Sequence, residues 1–161
     1  MGYQLIEKVT VGSGGVASIE FTAIPQDATD LVLLLSGRNT VAGSGMGMKL
    51  ELNGIATGYT AKRLLTDGSS VYNDSSHGYV MTANTAVANN FSSTKFFFFN
   101  YTSSLAKDFT IDALNVNNTT DAYQRIVAGT SAATAAITSI KTFGNSGNFM
   151  EYTVASLYKV S

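Results

Sequence analysis

The chain has 161 residues, enough for one domain with a sizeable core. Only 13% of its residues are charged, about half the usual share of roughly 25%. Its formal net charge is −1 and it has no run of like charges, so neither a nucleic acid nor an anionic membrane is expected as a partner. The absence of cysteine excludes disulfides and thiolate sites.

No apolar stretch reaches the roughly 18 to 20 residues that a membrane-spanning helix needs. The N-terminal residues 1–6 lack a basic segment followed by an apolar core, so we expect no signal peptide. The sequence therefore predicts a single domain over residues 1–161.

The first third of the chain predicts three strands. Residues 3–11 form the first, and residues 17–23 alternate strictly, with Ile19 and Phe21 on one face. Pro25 then forces a break. Residues 30–36 are apolar at nearly every position, which is typical of a strand buried on both faces.

The next third is less regular. Residues 48–52 alternate, and Asn53-Gly54 is a strong hairpin signal. Residues 60–65 fit either a short helix or an edge strand. From about residue 67 to 93, turn-forming residues dominate, and we predict a long loop.

Four consecutive phenylalanines, Phe96 to Phe99, follow this loop. Successive side chains of a strand point to opposite faces, so these four cannot share one face. We predict a strand over residues 95–101 that is buried on both sides, with residues 30–36 as its central partner.

The last third predicts four strands. Residues 107–113 alternate and place Phe109 and Ile111 in the core, and a phase slip at 114–116 indicates a bulge. The remaining strands cover residues 122–129, 136–143 and 149–160. Because domain termini often lie close together, we expect the first and last strands to share a sheet. Nine or ten short strands joined by Gly, Asn and Ser turns predict an antiparallel β-sandwich, of jelly-roll type.

Residues suited to catalysis or metal binding are few. The single histidine, His77, lies in the loosest segment without an orienting partner. Each glutamate falls on the polar face of a strand: Glu7, Glu20, Glu51 and Glu151. Aspartates with asparagine neighbours are possible calcium ligands but more often simply make turns: Asp67, Asp74 and Asp121. We therefore predict no catalytic, cofactor-binding or metal-binding residue, and not an enzyme.

A strand with phenylalanines on both faces exposes an apolar patch unless something covers it. The polar loop over 67–93 cannot cover it alone, so we expect a homo-oligomer, with three-fold symmetry. The candidate interface residues are Phe96, Phe98, Tyr72 and Tyr79. The two tyrosines could alternatively stack on a sugar ring.

The sequence also resembles a family of small virion surface proteins of tailed bacteriophages. The resemblance covers most of the chain and is strongest in its last third. It lies in residues 3–8, 21–25, 29–32, 49–54, 67–70, 100–103, 122–124, 136–140 and 145–158.

Members of that family are similar to jelly-roll decoration or fibre-type proteins and have no catalytic residues. The resemblance implies a virion protein, made in the host cytoplasm, with two alternative functions. In the first, the chain is a capsid decoration (cement) protein that binds the major capsid protein between capsomers and stabilises the shell. In the second, it is a tail or fibre module that binds a host-surface glycan through the long loop.

Overall fold

In a computed structural model of the protein, the described residues are 2–43, 46–66, 71–74, 78–116 and 122–161. These ranges contain strands and turns, and no helix long and apolar enough to cross a membrane. The strands in chain order are β1 (Tyr3–Thr10), β2 (Ser18–Phe21), β3 (Asp30–Gly37), β4 (Met46–Leu52), β5 (Tyr59–Thr66), β6 (Val71–Asp74), β7 (Tyr79–Met81), β8 (Ser92–Phe98), β9 (Lys107–Val116), β10 (Ala122–Ser131), β11 (Ile140–Gly144) and β12 (Val154–Val160).

The strands form two antiparallel sheets. The large sheet has eight strands in the order β1-β12-β3-β8-β9-β10-β5-β6, and the small sheet has four in the order β2-β11-β4-β7. The core lies between the two sheets, which confirms the predicted all-β sandwich. The jelly-roll type stays a prediction.

The phenylalanine strand occupies the centre of the large sheet, as predicted. Strand β8 pairs with β3 on one side and with β9 on the other. Phe96 and Phe98 point into the core and are fully buried, together with Phe109 and Ile111 of β9, which confirms the core prediction for the latter two. The prediction that this strand is buried on both faces is only partly right, because Phe97 is half-buried and Phe99 is 41% exposed.

The first and last strands share a sheet, as expected. β1 pairs antiparallel with β12, with a register shift between Leu5 and Glu7. The segment over 60–65, for which the sequence allows a short helix or an edge strand, belongs to strand β5. This strand lies next to the edge strand β6. The two strands expected over 136–143 and 149–160 are shorter than expected and begin at Ile140 and Val154.

The predicted bulge at residues 114–116 is wrong. β9 keeps an unbroken register with β10, and its side chains alternate between buried and exposed over all ten residues. Asn115 is fully buried, and its side-chain oxygen accepts a 2.8 Å hydrogen bond from the hydroxyl of Thr82. Leu114 and Val116 are exposed instead. The apparent phase slip is an inversion of polarity, since the polar residue points inward and the apolar ones outward.

The predicted loop over 67–93 contains two strands, β6 and β7. β7 is the fourth strand of the small sheet, where Tyr79 is fully buried and shares a short hydrogen bond with the hydroxyl of Thr142. Burial raises the pKa of the Tyr79 phenol well above its ordinary value. His77, Asp67 and Asp121 lie outside the described residues.

Two buried, positively charged side chains hold loops against the sandwich by hydrogen bonds. The guanidinium of Arg38, 7% exposed, donates to the backbone carbonyls of Asn84, Ala86 and Val87, each at 2.8 Å. The ammonium of Lys107, 1% exposed, donates to the carbonyls of Ser103 at 2.7 Å and of Thr134 at 3.1 Å, and also to that of Leu105. Each side chain thus joins several backbone carbonyls of its loop through one charged group.

Candidate functional site: the outer face of the large sheet

The candidate site is the face of the large sheet that points away from the small sheet, called here the outer face. Large apolar side chains are exposed at thirteen described positions of the chain, and eight of these lie on the outer face. Exposed apolar residues that are scattered singly need no explanation, whereas a contiguous set marks an interaction surface. The eight are Tyr3, Leu5, Leu34, Leu64, Phe99, Leu114, Val116 and Ile126.

Half of the outer face is formed by strands β1, β12, β3 and β8, called here the aromatic half. The rings of Phe97 and Phe99 lie against each other with centroids 4.6 Å apart. Val32 is covered by its cross-strand neighbours Phe97 and Tyr158 and is fully buried although it points outward. Leu34, in the next outward position of β3, is 41% exposed. This half presents large, closely packed side chains around Phe97, and a depression of about 210 Å³ between Leu34, Ser93 and Ser156.

The other half is formed by β9, β10, β5 and β6, called here the concave half. Ala128 of β10 points outward between its cross-strand neighbours Thr110 of β9 and Lys62 of β5, while the adjacent Gly129 faces Phe109 in the core. The two small residues line a depression of about 360 Å³ whose rim includes Phe99 of the aromatic half. Exposed aliphatic side chains lie further along the strands, on one side of this depression: Leu64, Leu114, Val116 and Ile126.

Charge on the outer face is sparse and of both signs. Lys95 of β8 and Asp112 of β9 are exposed cross-strand neighbours at the boundary between the two halves. No ion pair joins these two side chains, although both are among the described residues. Two opposite charges therefore stand side by side in the middle of a surface on which apolar and polar side chains are interspersed.

The structure relocates the candidate interface residues. Phe96, Phe98 and Tyr79 are fully buried inside the chain, so they are not available to a neighbouring molecule, and this corrects the interface prediction at these three positions. The fourth, Tyr72, lies in β6, and its side chain is outside the described part. The phenylalanines that do face outward are Phe97 and Phe99.

Sequence reasoning missed the aliphatic part of the outer face. The signal was present at Leu114 and Val116, where apolar residues occupy the positions of β9 that alternation assigns to solvent. A bulge explained the same slip equally well from sequence alone. Leu34 and Ile126 carried no such signal, because the strands around them are apolar or mixed at most positions.

Of the four glutamates, Glu51 forms an ion pair. Glu20 and Glu51 are the two cross-strand neighbours of Lys141 in the small sheet, and Lys141 lies 3.7 Å from the Glu51 carboxylate. Within the described ranges, no group of three His, Asp or Glu side chains is placed to hold a metal ion.

A separate depression of about 280 Å³ lies at one end of the sandwich. Its lining includes Phe91, Glu151 and Tyr152, and also Arg38, whose Nε has no hydrogen-bond partner. Tyr152 is 68% exposed and has a φ of 68°, a left-handed conformation that is unusual for a bulky residue. Strained residues of this kind occur more often at functional sites than elsewhere.

Comparison with known proteins adds no relative to this description: no protein-family model matches the chain, and no curated protein matches its sequence significantly.

Proposed function

We propose that the chain is a non-enzymatic structural protein of a bacteriophage virion, a decoration protein of jelly-roll type. In this proposal it associates with other copies of itself and binds the major capsid protein between capsomers on the particle surface. The observation that carries the proposal is the outer face, on which eight large apolar side chains are exposed among polar ones. Such a surface fits a protein that acts by binding other proteins.

The sandwich itself supports this assignment. Its buried apolar residues, which range from Val11 to Leu157, form one core cluster between the two sheets. The sequence also resembles small virion surface proteins over most of its length. A rigid β-sandwich with few charges is suited to permanent assembly, because interfaces between permanent partners are more apolar than ordinary surface.

The mechanism follows from mass action. A protein that binds the assembled shell but not its separated subunits stabilises the shell in proportion to RT ln(1 + [L]/Kd). Simultaneous contact with several capsomers raises the effective affinity without any new type of contact. No chemical step is required of the bound protein.

The test is to add the purified protein to capsids that lack it. We expect saturable binding, ordered density between capsomers by cryo-electron microscopy, and a higher temperature of shell disassembly. Absence of the protein from the surface of intact particles, or binding without any change in disassembly temperature, would contradict the proposal. A matched control is an unrelated small protein of similar size and net charge at the same concentration.

A second candidate function is glycan binding at the end depression, favoured by the exposed and strained Tyr152. An aromatic ring beside the Glu151 carboxylate could stack on a sugar while the carboxylate accepts bonds from its hydroxyls. The glycan alternative predicted from sequence used Tyr72 and Tyr79 instead; Tyr79 is buried, and the side chain of Tyr72 lies outside the described part. A glycan array with the wild type and with Tyr152→Gly tests it, because only the wild type should give a signal.

A further inference from the structure

We propose that two copies of the chain pack outer face to outer face, around a two-fold axis that runs parallel to the strands between β8 and β9. These are the fourth and fifth of the eight strands, so the axis divides the aromatic half from the concave half. Rotation about this axis lays the aromatic half of each copy on the concave half of the other. The same contact is then made twice, as in any isologous interface.

Charge complementarity is the first argument for this axis. Lys95 and Asp112 are cross-strand neighbours on the two strands that flank it. The rotation therefore places Lys95 of each copy opposite Asp112 of the other. Two ion pairs form in a surface that excludes water, where complementary charges set the register and reject wrong partners. Any axis displaced by one strand in either direction would lose both pairs.

Shape is the second argument. Phe97 lies two residues beyond Lys95 on β8, and its cross-strand neighbour on β9 is Thr110. The rotation places Phe97 over Thr110 of the second copy, beside the depression that Ala128 and Gly129 line. Large side chains thus meet small ones, which is how two sheet faces interdigitate.

The aliphatic residues also match. Leu34 is the neighbour of Lys95 on β3, and Ile126 is the neighbour of Asp112 on β10. Both are outward-facing, at 41% and 49% exposure. Because they stand at the same height on opposite sides of the axis, the rotation brings Leu34 of one copy onto Ile126 of the other.

The available area is sufficient. Eight strands spaced by about 4.8 Å, each about seven residues long at roughly 3.3 Å per residue, give a face of about 900 Å². Sheet twist keeps the outermost strands out of a flat contact. Two thirds of the face would still bury about 600 Å² per copy, within the range of specific protein interfaces.

This inference does not depend on the proposed function. A dimer that never binds a capsid would contradict only the proposed function, whereas a trimer that decorates capsids would contradict only this inference. It also differs from the three-fold symmetry expected from the sequence. A ring of three copies cannot pair each Lys95 and Asp112 across a two-fold axis, so a trimer is an outcome that overturns it.

The experiment uses sedimentation velocity of the full chain at micromolar concentrations, with Lys95→Asp and Asp112→Lys as charge-reversal variants. The wild type should sediment as a dimer. Each variant alone places like charges across the axis and should weaken self-association roughly a hundredfold. An equimolar mixture of the two variants restores opposite charges at both positions and should form a heterodimer.

Lys49→Asp is the matched control, because Lys49 is an exposed lysine on the outward side of the small sheet and should not affect assembly. Leu34→Ser weakens the same contact without reversing a charge, and circular dichroism verifies the fold of each variant. Three results would overturn the inference: a monomeric or trimeric wild type, single variants that dimerise like the wild type, or a mixture that stays monomeric.

Discussion

The ring of Phe109 lies directly over Gly129 across the β9–β10 pair. A Cβ added at Gly129 would come within 2.5 Å of the ring's Cζ atom, closer than any real contact allows. The glycine therefore makes the space that the aromatic ring fills in the core between the sheets.

Substitutions at Phe109 and Gly129 should have non-additive effects on the free energy of unfolding. Phe109→Ala should lower the free energy of unfolding by about 3–5 kcal/mol through lost transfer energy and a cavity. Gly129→Ala should lower it by about 1–3 kcal/mol through overpacking. In the double variant the alanine methyl no longer meets the ring, so the combined loss should be smaller than the sum. Denaturant unfolding measures all three, and additive losses would contradict the contact.

Replacement of Arg38 by lysine should lower the free energy of unfolding. Its planar guanidinium reaches three carbonyls of the 84–87 segment at once, and lysine has no such fork of donors. Arg38→Lys should cost about 2–3 kcal/mol. Hydrogen exchange is the sharper measurement, because the amide of Ala86 should lose protection. Unchanged exchange there would show that the loop holds its conformation without the guanidinium.

Lys107 should contribute to stability in a pH-dependent way. Burial lowers the pKa of its ammonium below the ordinary 10.5. Between these two pKa values the unfolded chain binds more protons than the folded one, so the free energy of unfolding rises with pH. Lys107→Met removes both this rise and the donors to three carbonyls, and should cost about 1–3 kcal/mol at neutral pH.

Denaturant unfolding of the wild type and of Lys107→Met across the alkaline range checks this. The stability difference between them should widen as the pH approaches 10.5. Taking the difference between the two proteins cancels the contributions of the ionisable groups that both contain. A gap that narrows with pH would mean that the ammonium is stabilised rather than destabilised by its surroundings.

Tyr152→Gly should stabilise the chain. A left-handed conformation costs a non-glycine residue about 1–2 kcal/mol, and the extra freedom of glycine in the unfolded state offsets about half of that. The expected net gain is about 0.5–1 kcal/mol, because the exposed ring packs little. Tyr152→Ala removes the same ring but keeps the strain, so its thermal midpoint should stay near the wild-type value.

Hydrophobic patterns predicted most of the strands. They failed at positions where a polar side chain is buried or an apolar one is exposed. The sequence predicts β8 because turn-forming residues bound a run of four phenylalanines, and β9 because Phe109 and Ile111 alternate with polar residues. β7 was missed because it has three residues, and its burial depends on partners far away in the chain, among them Thr142. Asn115 was misjudged because a buried asparagine is stabilised by one specific hydrogen bond, which no local pattern contains.

The outer face was anticipated only in outline. An exposed phenylalanine surface followed from four consecutive phenylalanines, but which two faced outward depended on the register with β3. Its aliphatic part comes from strands that are distant in sequence, and only the order of the sheet brings Leu34 and Ile126 onto one surface.

The pairing of β1 with β12 also sets the order in which the molecule is completed during synthesis. β1 is an edge strand, and its partner in the sheet is Val154–Val160 at the other end of the chain. During synthesis on the ribosome, β1 therefore has no partner in the sheet until residues 154–160 have emerged. Contacts between residues so distant in sequence form slowly. An unpaired strand is prone to association meanwhile, so the nascent domain is most vulnerable to aggregation just before β12 emerges.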